Sequence, residues 1–141
     1  MIMHKRLLFL LTFLLSFQLQ AQVVSNENHK IIFQLTSGDS ITHMKFLRQL
    51  QNILEAAPNA QIEVITHGLG VDLLKTNSNP FDSKLLALHE AGINFIVCEN
   101  TLKQRKLKKE AFFDWSGFVQ SGIIELVIKQ EQGWVYIKAG E

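Results

Sequence analysis

The sequence predicts an α/β domain, a flavodoxin-like three-layer sandwich of about five mostly parallel strands with helices on both faces. Three observations predict it. Short, nearly continuous apolar runs recur at Ile31–Leu35, Ile62–Thr66 and Ile93–Cys98, as in strands buried on both sides. The stretches between them are long enough for helices and carry apolar residues at helical spacing. Strands alternating with helices of this length require parallel crossovers, which lay the helices over the sheet.

Each element has a local cause. Val23–Lys30 is a polar lead-in, and Ile31–Leu35 is a strand closed by the turn Thr36-Ser37-Gly38-Asp39. From Ser40 to about Ala57, Phe46, Leu47, Leu50, Ile53, Leu54 and Ala57 share one helical face, Asp39 or Ser40 caps the first turn, and Pro58-Asn59 ends it. Ile62–Thr66 is the second strand and runs into His67-Gly68-Leu69-Gly70. After the loop Thr76–Pro80 a helix runs from about Asp82 to Ala91, with Gly92 as a left-handed stop. Ile93–Cys98 is the third strand, and Asn100 caps a helix from Thr101 to about Phe112. Phe118–Gln120 is a short fourth strand. Ile123, Ile124, Val127 and Ile128 mark a face of the last helix, and Gly133 separates it from a final strand, Trp134–Ile137. The order of strands is left open by the sequence, with a flavodoxin-like arrangement the natural choice for five.

The ends and the composition set the organisation. Met1–Arg6 is basic, Leu7–Leu19 is an apolar stretch of 13 residues and Ala21 is a small residue at a cleavage position, which together describe a secretory signal peptide over residues 1–21. Thirteen residues fall short of the roughly 20 that span a bilayer, so no stable membrane insertion is expected after cleavage. The remaining residues, 22–141, have the size of a single domain with one core. They carry 12 Lys plus Arg against 13 Asp plus Glu, a balance that argues against broad nucleic-acid binding. A periplasmic or extracellular location follows from the leader. The chain has one cysteine, so the core is not stapled by an internal disulfide.

That cysteine, Cys98, is the first candidate functional residue. In an open parallel sheet every strand ends on the same edge, and ligands bind in the crevice there. Thr36-Ser37-Gly38, His67-Gly68 and Cys98-Glu99-Asn100 all leave strands at that edge. Were the first strand between the other two, Cys98 and His67 would stand two strand spacings apart, on the order of 10 Å. Cys98 precedes a helix start, where free N–H groups favour a thiolate. Lys103, Arg105 and Lys106 add to this if they turn back, and Glu99 opposes it. Free cysteine is also a common core residue, so on the residues alone Cys98 is either packing or a reagent.

Three segments taken together bear on that choice: HGLG at His67–Gly70, GINFIVCENTL at Gly92–Leu102 and SGIIELVIKQEQGWVYIK at Ser121–Lys138. In this order they resemble the DsrE/DsrF-like family, small α/β proteins related to sulfur-relay subunits. The resemblance implies a flavodoxin-like fold, assembly as a homo-oligomer of three or six, and, in the sulfur-relay members, a cysteine that carries sulfur as a persulfide. It carries over to Cys98 with Asn100 and Thr101, and to His67 with Gly68 as a partner loop. It also implies a sulfur-donor or sulfur-acceptor protein as partner. Two departures stand out: the chain ends Ile137-Lys138-Ala139-Gly140-Glu141 where the pattern often closes with IKP, and relay proteins act in the cytoplasm whereas this chain begins with a leader.

The other features have bland explanations beside functional ones. His67 is a base for Cys98 or a loop histidine capping a strand end. Ser37 and Gly38 sit where flavodoxin-like proteins hold phosphate, yet Asp39 repels phosphate and a turn with an N-cap accounts for the same residues. His29, His43 and His89 lack metal spacing, and neither a metal nor a cofactor is expected. Lys103, Arg105, Lys106, Lys108 and Lys109 form a basic, solvated face. Phe112, Phe113 and Trp115 serve the core or a subunit contact, and Trp134 and Tyr136 suit an oligomer interface. No Ser-His-Asp set, paired carboxylates or phosphate-loop glycines appear. The two readings are a sulfur carrier or thiol redox protein using Cys98, and a non-catalytic binding module with Cys98 packed away.

Overall fold

The computed structural model describes residues 24–140; the leader assigned to residues 1–21 lies outside them. Five strands form one sheet: β1 (Lys30–Leu35), β2 (Gln61–Thr66), β3 (Asn94–Cys98), β4 (Gly117–Val119) and β5 (Val135–Lys138). Their spatial order is β4-β3-β2-β1-β5, and every pairing is parallel. The helices are α1 (Ser40–Ala56), α2 (Asp82–Glu90), α3 (Glu99–Arg105) and α4 (Gly122–Glu131), with 3-10 turns at Gly68–Leu74 and Lys109–Ala111.

The order follows from the crossovers. From β1 to β4 each connection steps to the next strand on the same side, so right-handed crossovers lay α1, α2 and α3 on one face. The chain then returns from β4 to the far edge at β5, and α4 covers the opposite face. Alternation along the strands matches this division. Phe33, Leu35, Val64, Phe95 and Val97 join Phe46, Leu47, Leu50, Leu85, Leu88 and Leu102 in the main core. Ile32 and Ile65 cluster with Leu126 of α4, with Ile96 and Trp134 packed at the margin. One face is thick and the other thin.

Capping agrees with the sequence at α1, where Asp39 Oδ2 accepts the Thr42 N–H at 2.7 Å, and at α2, where Gly92 follows the helix with φ +98°. It differs at α3. The cap is Cys98 itself rather than Asn100, which lies inside the first turn. The helix also stops at Arg105, short of Phe112, because Lys106 turns left-handed at φ 54° and its N–H bonds back to the last turn. Phe112 and Phe113 are then free to enter the core, where Phe113 stacks on Trp115 at 4.8 Å.

Candidate functional site

The observed strand order brings the two principal candidates closer than a central β1 would. β2 adjoins β3 with Thr66 opposite Val97, so His67 and Cys98 are the next residues on neighbouring strands. Both strands end on the same sheet edge.

Cys98 points to the thin face, on the same side of β3 as Ile96. It is 6% exposed. Its sulfur accepts the Gly122 N–H, the first residue of α4, at 3.2 Å. Burial by itself raises the thiol pKa, but the N–H groups of Gly122, Thr101 and Asn100 and the Thr101 hydroxyl outweigh it and hold the thiol below its ordinary value. Gly122 leaves no room for a side chain, chiefly because of Ile65: a Cβ there would lie 2.9 Å from Ile65 Cγ2, 3.3 Å from Cys98 Cβ and 3.6 Å from the sulfur.

Thr101, 4% exposed, also accepts the Gly68 N–H at 3.0 Å, joining the loop after β2 to α3. The glycines of that loop are required by the backbone. Gly68 has φ +58°, and a Cβ at Gly70 would lie 2.1 Å from the Leu35 carbonyl oxygen. Arg105 does not turn toward the sulfur. It forks onto Asp72 at 3.0 and 3.1 Å and donates to the Gly68 carbonyl at 3.1 Å, while Glu99 is paired with Lys109 at 2.5 Å. The activation of Cys98 therefore comes from backbone N–H groups and one hydroxyl, not from basic side chains.

His67 is engaged toward β1, not toward Cys98. Its Nε2 lies 2.7 Å from Gln34 Nε2, whose oxygen accepts the Tyr136 hydroxyl. The amide is the donor, so His67 Nε2 accepts and the ring proton sits on Nδ1. Burial lowers the His67 pKa and keeps the ring neutral. No hydrogen bond joins it to Cys98 among the described residues. Ser37 and Gly38 are engaged within the chain: the Ser37 hydroxyl accepts the Asp39 N–H at 3.1 Å, its carbonyl accepts from His43 at 2.7 Å, and Gly38 lies against Leu69. These contacts are those of a turn and a helix cap.

Three features were missed by sequence reasoning: the Gly122 donor, the Tyr136–Gln34–His67 chain and the Arg105–Asp72 clamp. Only the first had a signal, a Ser-Gly pair opening an apolar helix, where glycine costs helix stability unless something needs the space.

The family model described as DsrE/DsrF-like family matches residues 29–139. The chain belongs to the DsrE/DsrF-like family. Solved structures agree on the fold of this DsrE-like protein. A protein of unknown function from Methanobacterium thermoautotrophicum is similar with TM-score 0.75 and 23% identity, covering 79% of this chain and 99% of that one. A conserved protein of unknown function from Bacteroides thetaiotaomicron is similar with TM-score 0.58 and 16% identity, covering 77% and 93%. No curated protein gives a significant match.

Proposed function

We propose that this DsrE-like protein carries sulfane sulfur on Cys98. The observation that supports the reading is the donor set around the sulfur, with the Gly122 N–H at 3.2 Å, which favours a thiolate in a largely enclosed place. The thiolate attacks a terminal sulfur of a polysulfide, an S–S bond of the donor breaks, and the shortened polysulfide leaves. Cys98 is left as a persulfide, and a partner thiolate later takes the outer sulfur and releases the Cys98 thiolate. Atoms and electrons balance without an outside oxidant. The protein is a carrier, with donor and acceptor proteins as partners.

The proposal includes export by residues 1–21, work in the periplasm or outside the cell, and assembly as a homo-oligomer of three or six. Exposed apolar side chains support assembly: Ile123 and Val127 on one flank of α4, and Val135 and Tyr136 on β5. The burial of Cys98 favours the second reading, a binding module in which the thiol is packing.

One experiment separates the two. The mature protein and Cys98→Ser are incubated with inorganic polysulfide, and intact mass and the pH dependence of alkylation are measured. A carrier gains sulfur at Cys98 alone and alkylates with a midpoint below the ordinary thiol value of about 8.5. No added sulfur, with alkylation only near or above that value, leaves the packing reading.

A further inference from the structure

β3 and β4 are neighbours whose chains leave in opposite directions, β3 into α3 on the thick face and β4 into α4 on the thin one. At such a reversal in an open parallel sheet, the strand ends leave a crevice in which ligands bind. A groove of about 470 Å³ lies there, within the roughly 300–1,000 Å³ of small-molecule sites. Val119, opposite Cys98 in the β3–β4 register, lines it together with Ile124 and Ile128 of α4. Asn100 and Ser121 supply polar groups, and the Asn100 N–H bonds to the Gln120 carbonyl across the two loops at 3.1 Å. The charged lining residue is Glu125.

We infer that this groove binds the organic part of a low-molecular-weight hydropersulfide, R–S–SH, whose R group is apolar and bears no negative charge. The inference rests on the carrier reading for its chemistry. Three aliphatic side chains suit a hydrocarbon, while the lining offers no free cation to an anionic donor: the cation nearest Glu125, Lys129 at 3.7 Å, is itself held by Glu63 at 2.8 Å. Continuity with the thiol comes from both sides: Cys98 is the register neighbour of Val119, and Gly122, which touches the sulfur, follows Ser121. With R in the groove, the Cys98 thiolate attacks the outer sulfur. The donor S–S bond breaks, a new one forms to Cys98, and R–S⁻ leaves, so Cys98–S⁻ plus R–S–SH gives Cys98–S–SH plus R–S⁻.

Binding and transfer are tested apart. In the first arm, unreactive benzyl methyl sulfide is titrated into Cys98→Ser protein with labelled isoleucine methyl groups; Ile124 and Ile128 shift in a saturable way and Ile41 does not. Absence of that pattern overturns the inference, as does a shift of the same methyls with protein concentration alone, which makes the groove a subunit contact. In the second arm, wild type is loaded from benzyl hydropersulfide, glutathione hydropersulfide and inorganic polysulfide. The benzyl donor loads at least tenfold faster than the glutathione donor, and Ile124→Asn, which removes the apolar surface without adding charge, brings the two within about twofold. Equal rates in wild type, or an unchanged preference in Ile124→Asn, overturn the inference even if polysulfide loads. If polysulfide and both organic donors fail to load Cys98, the carrier reading falls, and with it the transfer step.

Discussion

At the scale of single residues, the chemistry of Cys98 is set by what donates to it. Thr101 contributes an N–H and a hydroxyl, so Thr101→Val, which keeps the shape and removes the hydroxyl, is expected to raise the midpoint of the alkylation pH profile. An unchanged midpoint would place the whole effect on the backbone. The stability of the fold reads two titrating groups, His67 and Cys98, and folding favours the deprotonated form of each. The folded-state pKa of His67 is lowered by burial, so below about pH 6.5 the unfolded chain binds more protons than the folded one. Stability therefore falls as the pH drops through that value, and His67→Gln removes this part of the fall in urea titrations run at pH 7.5 and 5.5. The Cys98 pKa is also lowered, but for an acid this means stability that is present above the unfolded thiol value and lost as the pH falls through the folded one. The difference in stability between wild type and Cys98→Ser should thus grow from neutral pH toward pH 9 in favour of the native thiol.

At the scale of elements, α4 is held to the sheet by few contacts. Gly122 bonds the Cys98 sulfur at one end, and near the other Lys129 pairs with Glu63 of β2 at 2.8 Å and lies over the Trp134 ring at 4.6 Å. Glu63 is 5% exposed and its second carboxylate oxygen has no partner. Removing the cation with Lys129→Met leaves a buried carboxylate unpaired and is expected to cost about 3 kcal/mol in chemical denaturation. Adding Glu63→Leu should return most of it, and a double variant as unstable as the single one would show that packing, not charge, sets the loss. The strands and main helices were legible in the sequence because their apolar periodicity is a property of neighbouring residues. The end of α3 was not, because Lys106 has no glycine-like signature and its left-handed turn serves the burial of Phe112 and Phe113 farther on. Likewise the His67-Gly68-Leu69-Gly70 motif reads as a site in one dimension. In three, Gly70 is a backbone contact against Leu35, and Gly70→Ala should destabilise by about 3 kcal/mol through overpacking.

Across the whole molecule, the strand order that sequence left open determines both the neighbourhood of the thiol and the unequal thickness of the two faces. Three helices and the bulk of the buried side chains lie on one side, whereas α4 contributes only Gly122 and Leu126 as buried residues to the other. A layer with so few buried apolar contacts opens at lower free energy than the core beneath it. The amides in the middle of α4, from Leu126 to Lys129, should therefore exchange with solvent through a partial opening, while those of β1, β2 and β3 exchange only on global unfolding. Because α4 begins directly on the Cys98 sulfur, the same opening uncovers the thiol. Alkylation of Cys98 at fixed pH should then follow the α4 exchange free energy across a series such as wild type, Leu126→Ala and Lys129→Met, quickening as that free energy falls. Uniform protection across α4 and the central strands, or alkylation rates indifferent to the α4 variants, would mean that the thin face unfolds with the rest and that reagents reach the sulfur by another path.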